Sequence, residues 1–454
     1  MNVIFKDVLL WTTCAVTIIS CAEDDAYTYS AEPMNNAELK SILRSKGYTF
    51  DDEGYLLLDD LVKGTRTLDL SGTGITDLSG LEMLPSLTDL DLSDNGYGPV
   101  FDCSMLPAQI KGLTLVGNQI YDFEGLAAGE MVNDELSSTV LRHFDRLYLP
   151  ETARYNVEDL VPYYLAAGEE TDMQMADATG TLAIYTTLRD IPDPYFRDYL
   201  QGLYSSIFVG QQMDISRPLS LKDDGVNLYL NGRTSYVNCD SIQSFEGVEY
   251  IINHPYRSQP ILVYINSTVP VQLSYIMPGA AIKGLGFSSV STPQGMDLSK
   301  ATRLASLFWS GDEYVTELDL SHTLVANQPV ADFDMLSSNI LSLSHCTHLR
   351  HIVMPAQCLG YMAQYELNNL PALNAVDMTF MRAVQVIGLS YLGNPDGIVY
   401  PSLEYIYNDE DCSLDVPGPK ASTLYLTLSE DIYATQAAQD FIRAYKTNIS
   451  CKTK

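Results

Sequence analysis

The sequence predicts an α/β solenoid of parallel strands with an irregular or helical convex side, and three features carry that expectation. A leucine pair spaced L-x-L recurs: Leu68 and Leu70 return as Leu90 and Leu92, 22 residues on, and as Leu113 and Leu115, 23 further. Three residues after each pair stand Thr73, Asn95 and Asn118. Further apolar positions (Ile75, Leu78 and Leu81 in the first copy, Ile120, Phe123 and Leu126 in the third) fill the rest of each copy. Alternation of this kind is a short half-buried strand. The Thr or Asn falls where the chain turns, and its side chain can satisfy backbone groups the turn leaves unpaired. No single copy can bury its own apolar face, so copies must stack.

Taken from the N-terminus, residues 1–20 hold one basic residue, Lys6, and a short apolar run, Val8–Ile19. That run is about half the ~20 residues a membrane-spanning helix needs. It is expected to be a secretory signal. The ending Ile18-Ile19-Ser20-Cys21 resembles the bacterial lipobox, with Ile18 in place of the usual leucine. The resemblance implies that Cys21 becomes the lipid-carrying first residue. The acids Glu23, Asp24 and Asp25 look like the export signal of Bacteroidetes-type surface lipoproteins, which implies an outward-facing outer-membrane location. Several acyl chains, at roughly 0.8 kcal/mol per buried methylene, hold a soluble domain firmly. Membrane contact is expected through this anchor alone. Residues 21–36 read as a flexible lipidated tether.

Residues 37–64 contain an amphipathic helix from Ala37 to Lys46, then a turn and a short strand, and are expected to close the open end of the first repeat as an N-terminal cap. The regular repeats occupy 65–128. These residues resemble the leucine-rich repeat family, nearest to its internalin-like type of about 22 residues. From 129 to 225 the pattern loosens. The stretches "NVEDLVPYYLAAGEE" and "PYFRDYLQGLYSSIF" have helical apolar spacing and begin after Asn or Pro. They are either irregular repeats with helical convex sides or an inserted segment, and the sequence leaves both open.

The pattern returns in degenerate form over 226–428. "VTELDLSHT" and "NILSLSHC" superimpose at 23 residues, pairing Leu318 with Leu341 and Leu320 with Leu343, so that Leu318 and Leu341 are expected on adjacent strands. Cys346 takes the asparagine position, a replacement the family tolerates. Pro85, Pro371 and Pro401 each precede a repeat leucine by two residues. Residues 429–454 give a helix from about Ser429, the expected C-terminal cap.

The formal charge of −32 makes binding to nucleic acid or anionic lipid surfaces unfavourable. Cys103, Cys239, Cys346, Cys358, Cys412 and Cys451 are scattered without a CxxC pair, and at most one disulfide is expected. The loop from Thr49 to Asp60 has EF-hand-like spacing, but Thr49 stands where the first aspartate is needed and Leu57 at the ninth position. An acidic turn is the better reading. His345, His348 and His351 crowd beside Cys346, with His322 expected next to His345, yet their spacing does not suit a tetrahedral site. There is no GxSxG, HExxH or Walker loop. No catalytic residue, metal or cofactor is expected.

The function expected is therefore a lipid-anchored binding or adhesion module on a leucine-rich-repeat scaffold, with an unknown extracellular protein as partner. The alternative is a glycan-binding lipoprotein of a polysaccharide uptake system, weakened because Trp309 is the sole tryptophan after the signal. The strand positions Asp69, Ser71, Asp91, Ser93, Thr114 and Val116, with Asp319, Ser321, Ser342 and Ser344, are small, polar or acidic. They lack the aromatic and arginine anchors that dominate interfaces. Ligand contact is expected instead on tyrosines exposed between Tyr148 and Tyr275.

Overall fold

The computed structural model describes residues 28–454 apart from 134, 220–226, 232–240, 258–260, 274, 281 and 334–337. The signal stretch, Cys21 and Cys239 lie outside the described residues. The chain divides into two compact units: one formed by the chain up to Arg66 together with Asp77–Leu87, the other by Thr67–Thr76 and Thr88–Lys454.

In the first unit the helix Ala37–Ser45 starts at Asn36, whose side chain accepts the Leu39 N–H at 3.0 Å. Glu38 in its first turn and Arg44 in its last suit the helix dipole. Leu39 and Leu43, four apart, are buried. The Asn36 amide also donates to the carbonyls of Asp77 (2.7 Å) and Ser79 (3.2 Å), tying the helix start to the 77–87 stretch. A second helix, Asp60–Gly64, is capped by Asp59. Residues 21–36 are not tether throughout. Tyr29–Pro33 is a strand antiparallel to Tyr55–Leu57, and Ser30 Oγ accepts the Leu56 N–H at 2.9 Å. A polar composition suggested a tether, but a strand needs only backbone partners, and Tyr55–Leu57 supplies them.

The second unit opens with a six-stranded sheet. Thr67–Asp69, Asp89–Asp91, Gly112–Thr114, Arg146–Leu149 and Asp172–Ala176 run parallel, and Leu182–Ile184 closes the edge antiparallel. Leu68, Leu90, Leu113, Leu147 and Met173 stand side by side in register, all buried. The loosened region divides. Up to Ala176 it continues the parallel sheet, with the helix Leu160–Ala167 in the connection and a hairpin, Ala127–Val132 with Glu135–Val140, inserted before it. From Leu188 to Asp214 it is a small antiparallel sheet around the helix Pro194–Leu203.

A second sheet of nine parallel strands follows. Its order is Asn227–Asn231, Ile261–Gln272, Ile282–Ser291, Ser306–Ser310, Ile340–Ser344, Gln364–Leu370, Val386–Leu392, Leu424–Leu428 and Ile449–Thr453. Two rows face inward. Val263, Leu285, Leu307, Leu341, Tyr365, Ile387 and Leu426 form one; Ile265, Phe287, Trp309, Leu343, Leu367, Leu389 and Leu428 form the other, all buried. Each such side chain contributes about 1.5–3 kcal/mol by leaving water.

The expected pairing of Leu318 with Leu341 is corrected. Leu318 lies on Glu317–Asp319, which pairs with His351–Val353, so its neighbour is Ile352; Leu341 pairs with Leu307 and Tyr365. Leu318, Leu320, Leu341 and Leu343 are all buried, but Leu318 and Leu341 are in two different sheets. The same L-x-L alternation serves any half-buried strand, and Ser306–Ser310, which has no L-x-L pair, took the place beside Leu341. His322 and His345 are consequently not stacked neighbours. The C-terminal stretch also differs from a plain helix. Glu430–Tyr433 and Gln436–Ala444 are separate helices, the second capped by Thr435, and Ile449–Thr453 then adds a strand to the sheet edge.

Candidate binding face

The leucines of the repeat are structural, and so are the polar residues beside them. The Asn118 amide donates to the carbonyls of Leu92 (3.0 Å) and Leu115 (2.9 Å), while its oxygen accepts the N–H groups of Asn95 (3.0 Å) and Tyr97 (3.1 Å). Asn95 repeats this one turn earlier, donating to Leu70 O at 2.9 Å and accepting Gly74 N–H at 2.7 Å. Thr73 substitutes with a hydroxyl on Leu70 O at 2.7 Å. Cys346 keeps half of the role: its thiol lies 3.5 Å from Ser344 O and 3.9 Å from Trp309 O. Burial pushes that thiol up to about 12, so it stays protonated as a donor. Cys103, Cys346, Cys358, Cys412 and Cys451 are free thiols.

The acids of "LDLS" are occupied locally. Asp69, Asp91 and Asp319 each accept the N–H of the serine two residues on, at 2.8, 2.9 and 2.8 Å. Asp51 in the EF-hand-like loop accepts the N–H groups of Glu53, Gly54 and Tyr55, and Asp59 caps a helix. His348 contacts the Glu313 carbonyl at 2.7 Å through Nδ1, and His351 lies on a strand paired with Glu317–Asp319, whereas His345 follows the strand Ile340–Ser344. Among the described residues no three His, Cys, Asp or Glu come together as an ion site.

The tyrosines expected to be exposed between Tyr148 and Tyr275 are mostly core. Tyr155, Tyr163, Tyr185, Tyr199, Tyr204, Tyr250, Tyr256 and Tyr275 are buried, and only Tyr195 is clearly exposed among those described. Tyr121, Tyr155 and Tyr250 form a run of near-parallel rings with centroids 6.3 Å apart at each step. Rings with polar tips suit an interior where hydroxyls find partners, as Tyr163 does with Thr171 at 3.0 Å.

What sequence reasoning missed is the outward side of the nine-stranded sheet. One outward row reads Tyr264, Gly286, Phe308, Ser342, Glu366, Gly388 and Thr427. Gly286 has no side chain because the Tyr264 ring lies over it, where a Cβ would collide. The ring meets Phe308 edge-on at 5.7 Å. Gly388 likewise leaves room for Glu366, whose Cγ would be 3.0 Å from a Cβ there. Glu366 Oε2 accepts from Gln364 Nε2 at 2.6 Å and Ser342 Oγ at 3.4 Å. The next outward row is Asn266, Ser288, Ser310, Ser344, Asn368 and Ser390, linked at Ser344–Ser310 (2.8 Å) and Ser390–Asn368 (2.6 Å). With strands about 4.8 Å apart, the strand of Phe308 lies about 10 Å and that of Tyr264 about 19 Å from the strand of Glu366. The face thus joins an apolar anchor, an acceptor and a row of small hydroxyls and amides. The signal was present as glycine inside strands, which marks a close approach by another group.

Residues 66–97 match the family described as Leucine Rich repeats (2 copies). Residues 66–97 are therefore similar to leucine-rich repeats, units that in repeat proteins stack to form extended surfaces. The match covers the first two copies, which contain Leu68, Leu70, Leu90, Leu92 and Asn95. No curated protein matches the chain. No helix among the described residues is long and apolar enough to cross a membrane.

Proposed function

We propose that this protein is a surface-displayed binding module that engages a protein partner through the outward face of its nine-stranded sheet. The observation that carries this reading is the Tyr264 ring lying over Gly286 against Phe308, in the outward row that also holds Glu366 two strands beyond Phe308. Aromatic anchors bordered by satisfiable polar groups are what strong interfaces use. On the six-stranded sheet the corresponding row is Asp69, Asp91, Thr114, Tyr148 and Gln174, and its one aromatic ring is already engaged, by the Arg146 guanidinium at 5.0 Å and by a hydroxyl bond to Asp172 at 2.7 Å.

Display on the outer membrane rests on the sequence alone, on Cys21 and the acids after it. Cys21→Ala is expected to move the protein from the membrane fraction to the soluble one. Protease added to intact cells should digest the wild type, and protection would remove surface exposure while leaving lipidation. The glycan alternative is disfavoured by Trp309, which lies in an inward row and is 2 % exposed. The deciding experiment screens the purified ectodomain against protein and glycan arrays. Tyr264→Ala and Phe308→Ala are then compared with Asp69→Ala on the ligand found. The two aromatic changes should each weaken binding by more than ~1 kcal/mol, and the aspartate change should chiefly alter salt dependence. Unchanged affinity in both aromatic variants would discard this face.

A further inference from the structure

A separate surface lies at the far edge of the nine-stranded sheet, on its last strand, Ile449–Thr453. No described strand pairs with the other side of it. The Leu424 N–H bonds the Asn448 carbonyl at 2.8 Å, and the Lys454 N–H bonds the Leu428 carbonyl at 2.9 Å. Alternation therefore turns the backbone groups of Ser450 and Lys452 toward the neighbouring strand. Those of Cys451 and Thr453 point away from the sheet, where they can pair with one more strand.

The side chains alternate in step. Ile449, Cys451 and Thr453 continue the inward positions of Leu424, Leu426 and Leu428, while Ser450 and Lys452 continue the outward positions of Tyr425 and Thr427. The three leucines are buried, whereas Ile449 and Cys451 are partly exposed. The core is thus left incompletely covered at this edge, and apolar side chains on an added strand would cover it.

Charge selects the occupant. In a chain of net charge −32, residues 441–454 hold Arg443, Lys446, Lys452 and Lys454 and no acid. Arg443 is paired with Asp440 at 2.9 Å. Lys446, Lys452 and Lys454 are exposed and form no ion pair among the described residues. Lys420 is exposed in the same way, and its loop is tied to the start of the strand: the Asn448 side chain accepts the Gly418 N–H at 3.0 Å and donates to the Gly418 carbonyl at 2.8 Å. Edge lysines keep identical copies apart, because a second copy pairing here would bring its own lysines to the seam. A strand carrying carboxylates gains opposite-charge cross-strand pairs instead.

We infer that this edge takes up an extended acidic segment of a partner protein as an added strand. Its backbone bonds Cys451 and Thr453, its apolar side chains cover Ile449 and Cys451, and its carboxylates stand beside Lys452 and Lys454. The edge lies seven strands from Tyr264, about 34 Å away, so its failure leaves the sheet-face reading intact.

The test is fluorescence anisotropy of a labelled heptapeptide alternating glutamate with valine, titrated with the full chain. Saturable binding is expected. The matching lysine–valine peptide should bind at least about tenfold more weakly, and so should the fully N-methylated glutamate–valine peptide, which keeps its carboxylates but has no backbone donor. Combining Lys452→Glu with Lys454→Glu, both at exposed positions, should cost at least about tenfold in affinity. Thr453→Pro removes one outward N–H and spares the bonds to the neighbouring strand, and should also weaken binding. Tyr264→Ala should leave the affinity unchanged. No saturable binding of the acidic peptide overturns the inference. So does equal binding of the N-methylated peptide, or wild-type affinity in the folded charge-reversed variant. A dimer of the chain that Thr453→Pro dissociates would give the edge to a second copy and overturn it as well.

Discussion

Asn118 does the work of a short strand with one side chain. Its four hydrogen bonds reach two carbonyls and two N–H groups on successive turns, all buried. Asn118→Ala would leave those backbone groups unpaired away from water, where each orphan costs about 1–3 kcal/mol. Some will relax toward other partners. We therefore expect Asn118→Ala to lower unfolding free energy by about 2–4 kcal/mol in urea titrations. Thr73→Ala should cost about 1 kcal/mol, since that hydroxyl donates a single bond to Leu70. Equal effects at the two positions would contradict the ladder.

At the level of the element, the helix Glu249–Ile252 and the turn after it hold two buried ionisable groups of opposite tendency. Burial pushes the Glu249 carboxyl up to about 7, only partly offset by the Gly247 N–H it accepts at 2.8 Å. Burial, with the Arg257 charge adding, pulls the His254 imidazole down to about 3. The raised Glu249 favours the fold at low pH, and that contribution is lost as pH rises from about 4.5 to about 7, a change of about 3 kcal/mol. The depressed His254 acts in reverse. Its contribution is complete above about 6.5 and is lost on acidification toward 3, about 5 kcal/mol in all. Between pH 4.5 and 6.5 the two slopes cancel. Glu249→Gln should expose the histidine slope, making stability rise with pH across that window. A flat profile in the variant, measured by urea unfolding at several pH values, would show that His254 is not buried in solution.

Across the second unit one continuous core runs from Tyr121 to Phe441. Beside it lies a charged junction between the two sheet regions. Lys300 Nζ meets Asp122 Oδ2 at 2.7 Å, and the Asn156 amide bridges Asp122 Oδ1 (3.0 Å) and Asp159 Oδ2 (2.8 Å). Burial holds the Asp159 carboxyl well above its usual range, reinforced by the charges of Asp122 and Glu158. Burial alone would lower the Lys300 ammonium, but those carboxylates outweigh it and keep it charged. Lys300→Met strands Asp122 and should cost about 3–5 kcal/mol at neutral pH. Adding Asp122→Asn should restore most of it, and failure to do so would mean that the lysine acts through packing of its stem.

The sequence by itself determined the repeat: which leucines are buried, why an asparagine follows them, and that Leu68, Leu90 and Leu113 share one row. Those are local regularities, written as period-two alternation and a fixed 22 to 23-residue spacing. It also carried both helices of the loosened region, through their apolar spacing and their Asn or Pro starts. Tertiary structure alone decided which sheet each strand joins, because Leu318 and Leu341 carry the same local pattern yet pair with Ile352 and Leu307. It decided the fate of the tyrosines, since composition cannot say whether a ring faces the core or water. The Tyr264 ring over Gly286 likewise joins residues whose meeting depends on strand register, and register is set by the packing of the whole sheet.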